Sequence, residues 1–503
     1  MISLVKNKSN RAQVLWLGLG RLGSFALAFI SAAILSRFLN KEDYGTYKQI
    51  MYLYASFSLI FAAGLPETLT YFLPKLNKGE QKYLVCQFEL LLFTLGIAFS
   101  SCLYFGAPYI ADLLSNPALT EALKIYAPVP VLLLPTFIIE NVYICEQKSH
   151  YQTFYILFSR IAVLCGIILP VIFYRANCLV ALHGLVISSL CMLFVALLLI
   201  YKPYKGYALS KPTTLRIYDI ANYALPLVGA DLSLMLFNSA DQFFISRYFG
   251  EITFAEFSNG FIQLPLATMV SGSIATVLIP LFSKAQTADT FNNAVRSWQN
   301  AIRNASQLLY PIIIFCFFFA TEIVTFIYGN HYACSAIYFR IILISNLFNI
   351  YPFLPVLLAL KKLKVYTAFY LLSAISIWFT EAIAIHFYPS PVPIACISVS
   401  NSILLIVAFY LYIKQALHIT VFKKEVLALL GKVLIHSVAI ALFVYSVLLP
   451  FLKTFPVFFQ LSILFPIFYS LLIGSGKVLG LDYTAIITPL FNSLKNKEDE
   501  HTN

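Results

Sequence analysis

ILSRFLNKEDYGTY (residues 34–47) links two long apolar stretches near the start of the chain, and FISRYFGEITFAEF (residues 244–257) links two more. The segments align at an offset of 210 residues (246 minus 36). The aligned pairs are Ser36/Ser246, Arg37/Arg247, Phe38/Tyr248, Tyr44/Phe254 and Tyr47/Phe257. Many membrane transporters consist of two related bundles of helices, so this pattern predicts an internal duplication.

The composition predicts a membrane protein. The chain has 503 residues, of which 60% are hydrophobic and 11% charged, with a mean hydropathy of +0.82. A helix that crosses a bilayer needs about 20 mostly apolar residues. We predict an all-α integral membrane fold with about fourteen such helices. The predicted spans are 12–36, 46–65, 83–110, 123–144, 152–174, 178–201, 218–245, 254–281, 304–328, 336–360, 365–388, 393–414, 426–449 and 457–474.

The positions of the basic residues predict the orientation, because Lys and Arg are retained on the cytoplasmic side. With a cytoplasmic N-terminus, the inner segments hold 23 of the 34 Lys and Arg residues. The outer segments hold Arg37, Lys41, Lys48, Lys124, Arg175, Arg247, Arg340 and Lys453. Both termini are therefore predicted to be cytoplasmic. The net charge of +12 is then a topology signal, and nucleic-acid binding is not expected.

The duplication and the spans together predict the domain organisation. Six helices separate the two copies, an even number, so the repeats are expected to be parallel. The predicted parts are a six-helix bundle (1–201), a cytoplasmic linker (202–217), a second six-helix bundle (218–414), two added helices (415–474) and a cytoplasmic tail (475–503).

Charged residues inside predicted spans are candidate site residues, because an unpaired charge in lipid is unfavourable. Arg21 and Asp231 are equivalent positions at the repeat offset. We hypothesise that they face each other across a central cleft, where Arg21 binds an anionic group of a substrate. The alternative is a structural ion pair between the two bundles. Asn238 follows Asp231 by seven residues on the same helical stripe, and Asp241 lies in the same predicted helix.

Three further charged residues are candidates for a gate or for ion coupling. Glu67 follows Pro66 at a bent helix end, near the predicted inner mouth of the cleft. Arg37 and Arg247 stand at outer helix ends, where anchoring to the membrane surface is the ordinary explanation.

The sequence predicts no enzyme. The seven His residues show no HExxH or other metal-binding spacing, and there is no Walker A or GxSxG motif. We therefore expect no catalytic residue, no metal site and no cofactor.

One segment of the chain resembles the polysaccharide-biosynthesis, or O-antigen-type, flippases of the multidrug/oligosaccharidyl-lipid/polysaccharide (MOP) exporter superfamily. The resemblance rests on residues 35–39 (LSRFL), 43–47 (DYGTY) and 64–75 (GLPETLTYFLPK). It implies a flippase that moves undecaprenyl-diphosphate-linked oligosaccharide to the outer leaflet of the bacterial inner membrane by alternating access. It also implies H⁺ or Na⁺ coupling, and a polysaccharide polymerase and a chain-length regulator as possible partners.

Two other functions remain open at this point. The first is a multidrug or cation antiporter of the same superfamily, which would need a carboxylate without a cationic partner. The second is an integral-membrane polysaccharide polymerase or ligase, which would need a large outer loop. The longest predicted outer loop has about a dozen residues (111–122).

Overall fold

A computed structural model describes residues 8–62, 64–174, 177–212, 216–285, 287–416, 420 and 422–483. Within these ranges every regular element is helical and no residue belongs to a strand. The predicted all-α class is confirmed. Most of the predicted C-terminal tail, from residue 484 onward, lies outside the described residues.

Prolines and glycines decide where the helices of the first half break. Three prolines divide the fourth predicted span into short helices and a 3₁₀ turn (Leu134–Ile138). Gly250, with φ +77°, breaks the long helix that follows the predicted linker. The helices are α1 (Lys8–Phe38), α2 (Lys41–Ala62), α3 (Leu65–Phe72), α4 (Lys78–Leu113), α5 (Leu119–Tyr126), α6 (Pro128–Leu133), α7 (Ile139–Cys145), α8 (Ser149–Phe173), α9 (Cys178–Tyr201) and α10 (Ile217–Gly260).

The second half has the same helical character. Its last two long helices flank a π-helical turn (Val444–Leu448) and a short connection that contains both Pro450 and Pro456. The helices are α11 (Pro265–Ser283), α12 (Ala288–Phe318), α13 (Ala320–Tyr328), α14 (Ser335–Phe348), α15 (Leu354–Ala359), α16 (Leu363–Phe387), α17 (Pro391–Ala416), α18 (Lys424–Phe443), α19 (Leu449–Leu452) and α20 (Val457–Val478).

Each predicted span contains at least one helix. Among the described residues, twelve helices are long and apolar enough to cross a membrane, or thirteen if α2 and α3 form one bent span. The tenth predicted span is shorter than expected, because α14 has 14 residues and ends before Pro352. The inside or outside position of the termini stays a prediction.

The surface of the helices is apolar, as expected of a chain in lipid. Large apolar side chains are exposed along several spans, including Phe105 (80% exposed), Phe173 (81%) and Ile187 (65%). A soluble protein rarely exposes such extended apolar surface. The chain is therefore a multi-pass membrane protein.

Contacts divide the chain into two compact units, Met1–Glu256 and Phe257–Asn503. In the first unit, leucines of α3 and α4 pack with α7 and α9 in one buried cluster. In the second unit, Phe315 of α12 packs against Phe465 and Phe468 of α20, with ring centroids 5.1 and 5.4 Å apart. The last helix therefore belongs to the second unit. The predicted repeat boundaries, 1–201 and 218–414, stay a prediction.

Candidate functional site

The bend between α2 and α3 presents a polar stripe. Gly64 precedes α3 with φ +60°, a conformation that favours glycine, and the two helix axes differ by 40°. Leu65 and Leu69 of α3 are buried in the core of the first unit. Residues four apart share a face of a helix. The opposite stripe, Glu67–Tyr71–Lys75, is exposed and continues into the 3₁₀ turn after α3.

The same bend packs against α10. A Cβ atom added to Gly64 would lie 3.0 Å from the Cβ of Leu227 and 3.5 Å from the carbonyl oxygen of Ala224. Glu67 therefore comes within electrostatic range of the half-buried Asp231 on α10. Two predicted site residues are thus brought together, but they carry the same charge. The sequence predicts instead an inner gate at Glu67 and a cationic partner, Arg21, for Asp231.

Arg21 lies on α1, which packs against α8 through two glycines that flank the arginine. A Cβ atom added to Gly20 would lie 3.2 Å from the Thr153 side chain of α8. A Cβ atom added to Gly23 would lie 2.5 Å from the Leu157 side chain of α8. The Arg21 side chain is exposed. In the described part of the chain, Arg21 forms no ion pair with Asp231. The alternative of a structural Arg21–Asp231 ion pair is therefore not realised in this conformation.

The two other polar candidates on α10 differ in environment. Asn238 is exposed. Asp241 is buried, at 5% exposure, and lies near Tyr52 of α2, whose hydroxyl donates to the carbonyl oxygen of Ser239 at 3.3 Å. Asn238 is therefore accessible to a ligand, whereas Asp241 is part of the contact between α2 and α10.

The two arginines of the repeat motif lie at helix ends. Arg37 is exposed at the last turn of α1. Arg247 donates to the carbonyl oxygens of Asp112 and Leu113, at 2.7 and 2.6 Å, at the C-terminal end of α4. Unpaired carbonyls at a helix C-terminus attract cations. This contact gives Arg247 a structural role, and a gating role for either arginine stays a prediction.

A buried polar cluster near the repeat motif escaped the sequence analysis. The Gln49 amide donates to the Ser246 hydroxyl at 2.7 Å, and the Asn116 amide donates to Gln49 at 2.6 Å and to Thr46 at 3.0 Å. The cluster joins α2, α10 and the α4–α5 connection. Gln49 and Asn116 stand beside apolar runs in the sequence. Because buried polar groups need hydrogen-bond partners, these two residues could have predicted such a cluster.

Two other ionisable groups inside spans have partners within the protein. Glu89 of α4 accepts a hydrogen bond from the Tyr201 hydroxyl of α9. Arg160 of α8 donates to the Ser24 hydroxyl of α1 at 2.9 Å. These contacts hold neighbouring helices together.

A cavity of about 610 Å³ opens between the end of α3 and the start of α10. Its lining combines aromatic rings with charged and amide groups. The lining includes Tyr71, Phe72, Lys75, Asp219, Asn222 and Tyr223. Within the described ranges no group of three or more His, Cys, Asp or Glu residues could hold a metal ion.

The chain is similar to known proteins in sequence and in fold. A family profile described as "Polysaccharide biosynthesis protein" matches residues 11–286. Comparison with curated proteins gave no match.

Solved structures with the same fold include the lipid II flippase MurJ in an inward closed conformation. It has a TM-score of 0.71 at 15% identity, over 93% of this chain and 99% of that one. An inward-facing multidrug resistance MATE transporter of the MOP superfamily has a TM-score of 0.62 at 11% identity, over 83% and 98%. A point mutant of the Vibrio cholerae MATE transporter VcmN has a TM-score of 0.59 at 13% identity, over 82% and 97%. At these identities the likeness establishes the fold alone.

Proposed function

Because the chain belongs to the polysaccharide biosynthesis protein family, we propose that it is a flippase for undecaprenyl-diphosphate-linked oligosaccharides. In this proposal it carries each repeat unit from the cytoplasmic to the outer leaflet of a bacterial inner membrane, for surface polysaccharide or O-antigen synthesis. The observation that carries the proposal is the family match over residues 11–286 in a chain with the fold of MOP transporters. Family and fold indicate a transporter rather than an enzyme.

Arg21 is the residue that we assign to the diphosphate. Arginine donates several hydrogen bonds to phosphate oxygens and stays charged in every environment of a protein. Arg21 is exposed on a membrane-spanning helix, and Asp231 does not neutralise it in this conformation. An anionic head group would provide the counter-charge that the helix lacks.

Glu67 and Asp231 are the residues that we assign to ion coupling. Two carboxylates in electrostatic range repel each other, and a proton or a sodium ion bound between them removes that repulsion. Cation binding at α3 and α10 would then accompany one half of an alternating-access cycle. Asn238, exposed further along α10, would contribute a polar contact to the substrate.

Deletion of the gene tests the proposed function in cells. We expect mass spectrometry to show accumulated undecaprenyl-diphosphate oligosaccharide and a loss of surface glycan, both reversed by the wild-type gene. A polymerase and a chain-length regulator would then act on the flipped product. Unchanged lipid intermediates together with unchanged surface glycan would contradict the proposal.

A second candidate function is multidrug or cation antiport. The observation in its favour is the Glu67–Asp231 pair, because an antiporter of cations needs carboxylates that no basic residue neutralises. In that case the deletion strain would become more sensitive to cationic drugs while its lipid-linked oligosaccharides stayed unchanged.

A further inference from the structure

The cavity between α3 and α10 has the chemical character of a carbohydrate site. Tyr71 and Tyr223 are 45% and 37% exposed, and their rings stack with centroids 4.4 Å apart and an interplanar angle of 12°. Phe72 meets both rings edge-on, at 4.9 and 5.8 Å, and packs against the core of the first unit. The three rings form one aromatic cluster beside the cavity, in which Tyr71 is stacked on Tyr223.

Polar groups surround this surface on both helices. The Lys75 ammonium lies 3.2 Å from the centroid of the Tyr71 ring. Asp219 and Asn222 line the cavity from the first turns of α10, and an Asp219 carboxylate oxygen accepts the backbone N–H of Arg216 at 3.1 Å. A carboxylate accepts two or more hydrogen bonds, and an amide both donates and accepts. The cavity therefore offers partners for neighbouring hydroxyl groups.

The rings and polar groups together match a sugar better than a phosphate or an acyl chain. One face of a pyranose carries C–H bonds that pack on an aromatic ring, while its hydroxyl groups need donors and acceptors. The opposite charges of Lys75 and Asp219 leave the lining with no net positive charge to hold a phosphate group, and a charged lining would disfavour a polyprenyl tail.

From these contacts we infer that the Tyr71–Tyr223 cavity binds a sugar ring of the lipid-linked head group before transport. This role rests on the proposed flippase function, and it assigns the sugar portion of the substrate to this cavity. The cavity lies at the end of the membrane-spanning segments that the sequence predicts to be cytoplasmic, where the substrate is made. Arg21 and the sugar site would then act on different parts of one head group.

Thiol labelling tests the inference. Leu76 also lines the cavity, so Leu76→Cys is the reporter, in a chain whose nine native cysteines are replaced and which still complements the deletion. Two lipids serve as probes in nanodiscs: the purified lipid-linked oligosaccharide, and undecaprenyl diphosphate without sugar. We expect only the sugar-bearing lipid to slow labelling. Tyr218→Cys, 70% exposed in the first turn of α10 and outside the cavity lining, should label equally with either lipid.

Ring substitutions then separate binding from folding. Tyr223→Ala in the reporter chain should raise about tenfold the lipid concentration that gives half-maximal protection of Leu76→Cys. This change corresponds to about 1.4 kcal/mol of binding free energy. Tyr223→Phe keeps the ring and should retain protection. Equal protection by both lipids would overturn the inference, because the site would then bind diphosphate or the tail. No protection by either lipid, in a chain that complements, would overturn the sugar site and leave the flippase function standing.

Discussion

Arg21 is held at a fixed place on α1 by close packing at Gly20 and Gly23 on either side of it. If its charge binds the diphosphate, Arg21→Ala should lower the transport rate at least tenfold, which corresponds to about 1.4 kcal/mol of transition-state stabilisation. Surface glycan at matched expression measures the effect. Arg21→Lys keeps a positive charge without the planar donor geometry and should retain part of the activity. Full activity of Arg21→Ala would contradict the assignment.

Asp231 is the second residue whose charge the account uses. Asp231→Asn removes one member of the acidic pair while keeping nearly the same shape. We expect transport in proteoliposomes to lose its stimulation by an imposed proton or sodium gradient, because the remaining carboxylate no longer needs a cation to relieve repulsion. Glu67→Gln should give the same result. A stimulation that survives both substitutions would exclude this pair from coupling.

Gly45 follows Asp43 and Tyr44 in the repeat motif, and close packing against α10 requires a glycine at this position. A Cβ atom at this position would lie 2.1 Å from the carbonyl oxygen of Glu251 on α10. Gly45→Ala should therefore destabilise the protein by about 1–3 kcal/mol, as overpacked sites do. Thermal unfolding in detergent measures this change.

The matched control for Gly45 is Gly431→Ala in α18, where no atom lies within 4 Å of the added Cβ. That substitution should be neutral or should stabilise by about 0.5–1 kcal/mol, because alanine favours a helix. Equal stability of the two variants would show that the contact at Gly45 does not constrain the fold.

The sequence analysis identified candidate residues by charge, but it did not identify their partners. Arg21, Glu67 and Asp231 are visible because charge inside an apolar run is rare. The repeat offset paired Arg21 with Asp231, whereas the packing of Gly64 on Leu227 brings Glu67 towards Asp231 instead. The approach of Glu67 to Asp231 depends on the bend at Gly64 and on the packing of α3 against α10. Hydropathy and residue spacing carry no information about either.

At the scale of elements, hydropathy predicted the helices well because the membrane fixes their length. The bend at Gly64-Leu65-Pro66 was expected from its residues, and the break between the last two predicted helices from the separation of spans 426–449 and 457–474. The division of the fourth span into α5, α6 and α7 was not predicted. Prolines are tolerated in membrane helices, so their number alone does not show which ones end a helix.

The α2–α3 bend is the element on which the acidic pair depends. Gly64→Ala adds strain at φ +60°, about 1–2 kcal/mol for a residue other than glycine, and a contact of 3.0 Å with Leu227. We expect α3 to shift, with a loss of transport at near-normal expression. Surface glycan and thermal unfolding, measured on the same variant, separate these effects.

Gly206→Ala is the control for the strain at Gly64. Gly206 also has positive φ (+87°), but no atom lies within 4 Å of its added Cβ. This variant should lose a similar stability and keep its transport. If both variants transported normally, the position of α3 would not matter to function.

At the scale of the whole molecule, the chain is a multi-pass helical membrane protein of the polysaccharide biosynthesis family. α20 packs on α12 within the second unit, so α20 is part of the folded protein. The central claim is that this protein moves a diphosphate-linked glycan across the bilayer.

Reconstitution tests that claim most directly. Proteoliposomes would contain the purified chain and lipid-linked oligosaccharide in both leaflets, and periodate added outside would oxidise only outward-facing sugars. We predict that the wild-type protein renders nearly all of the glycan accessible, while protein-free vesicles and the Arg21→Ala variant leave about half protected, as a bilayer with two equal leaflets requires. Half protection with wild-type protein, with and without an ion gradient, would contradict the account.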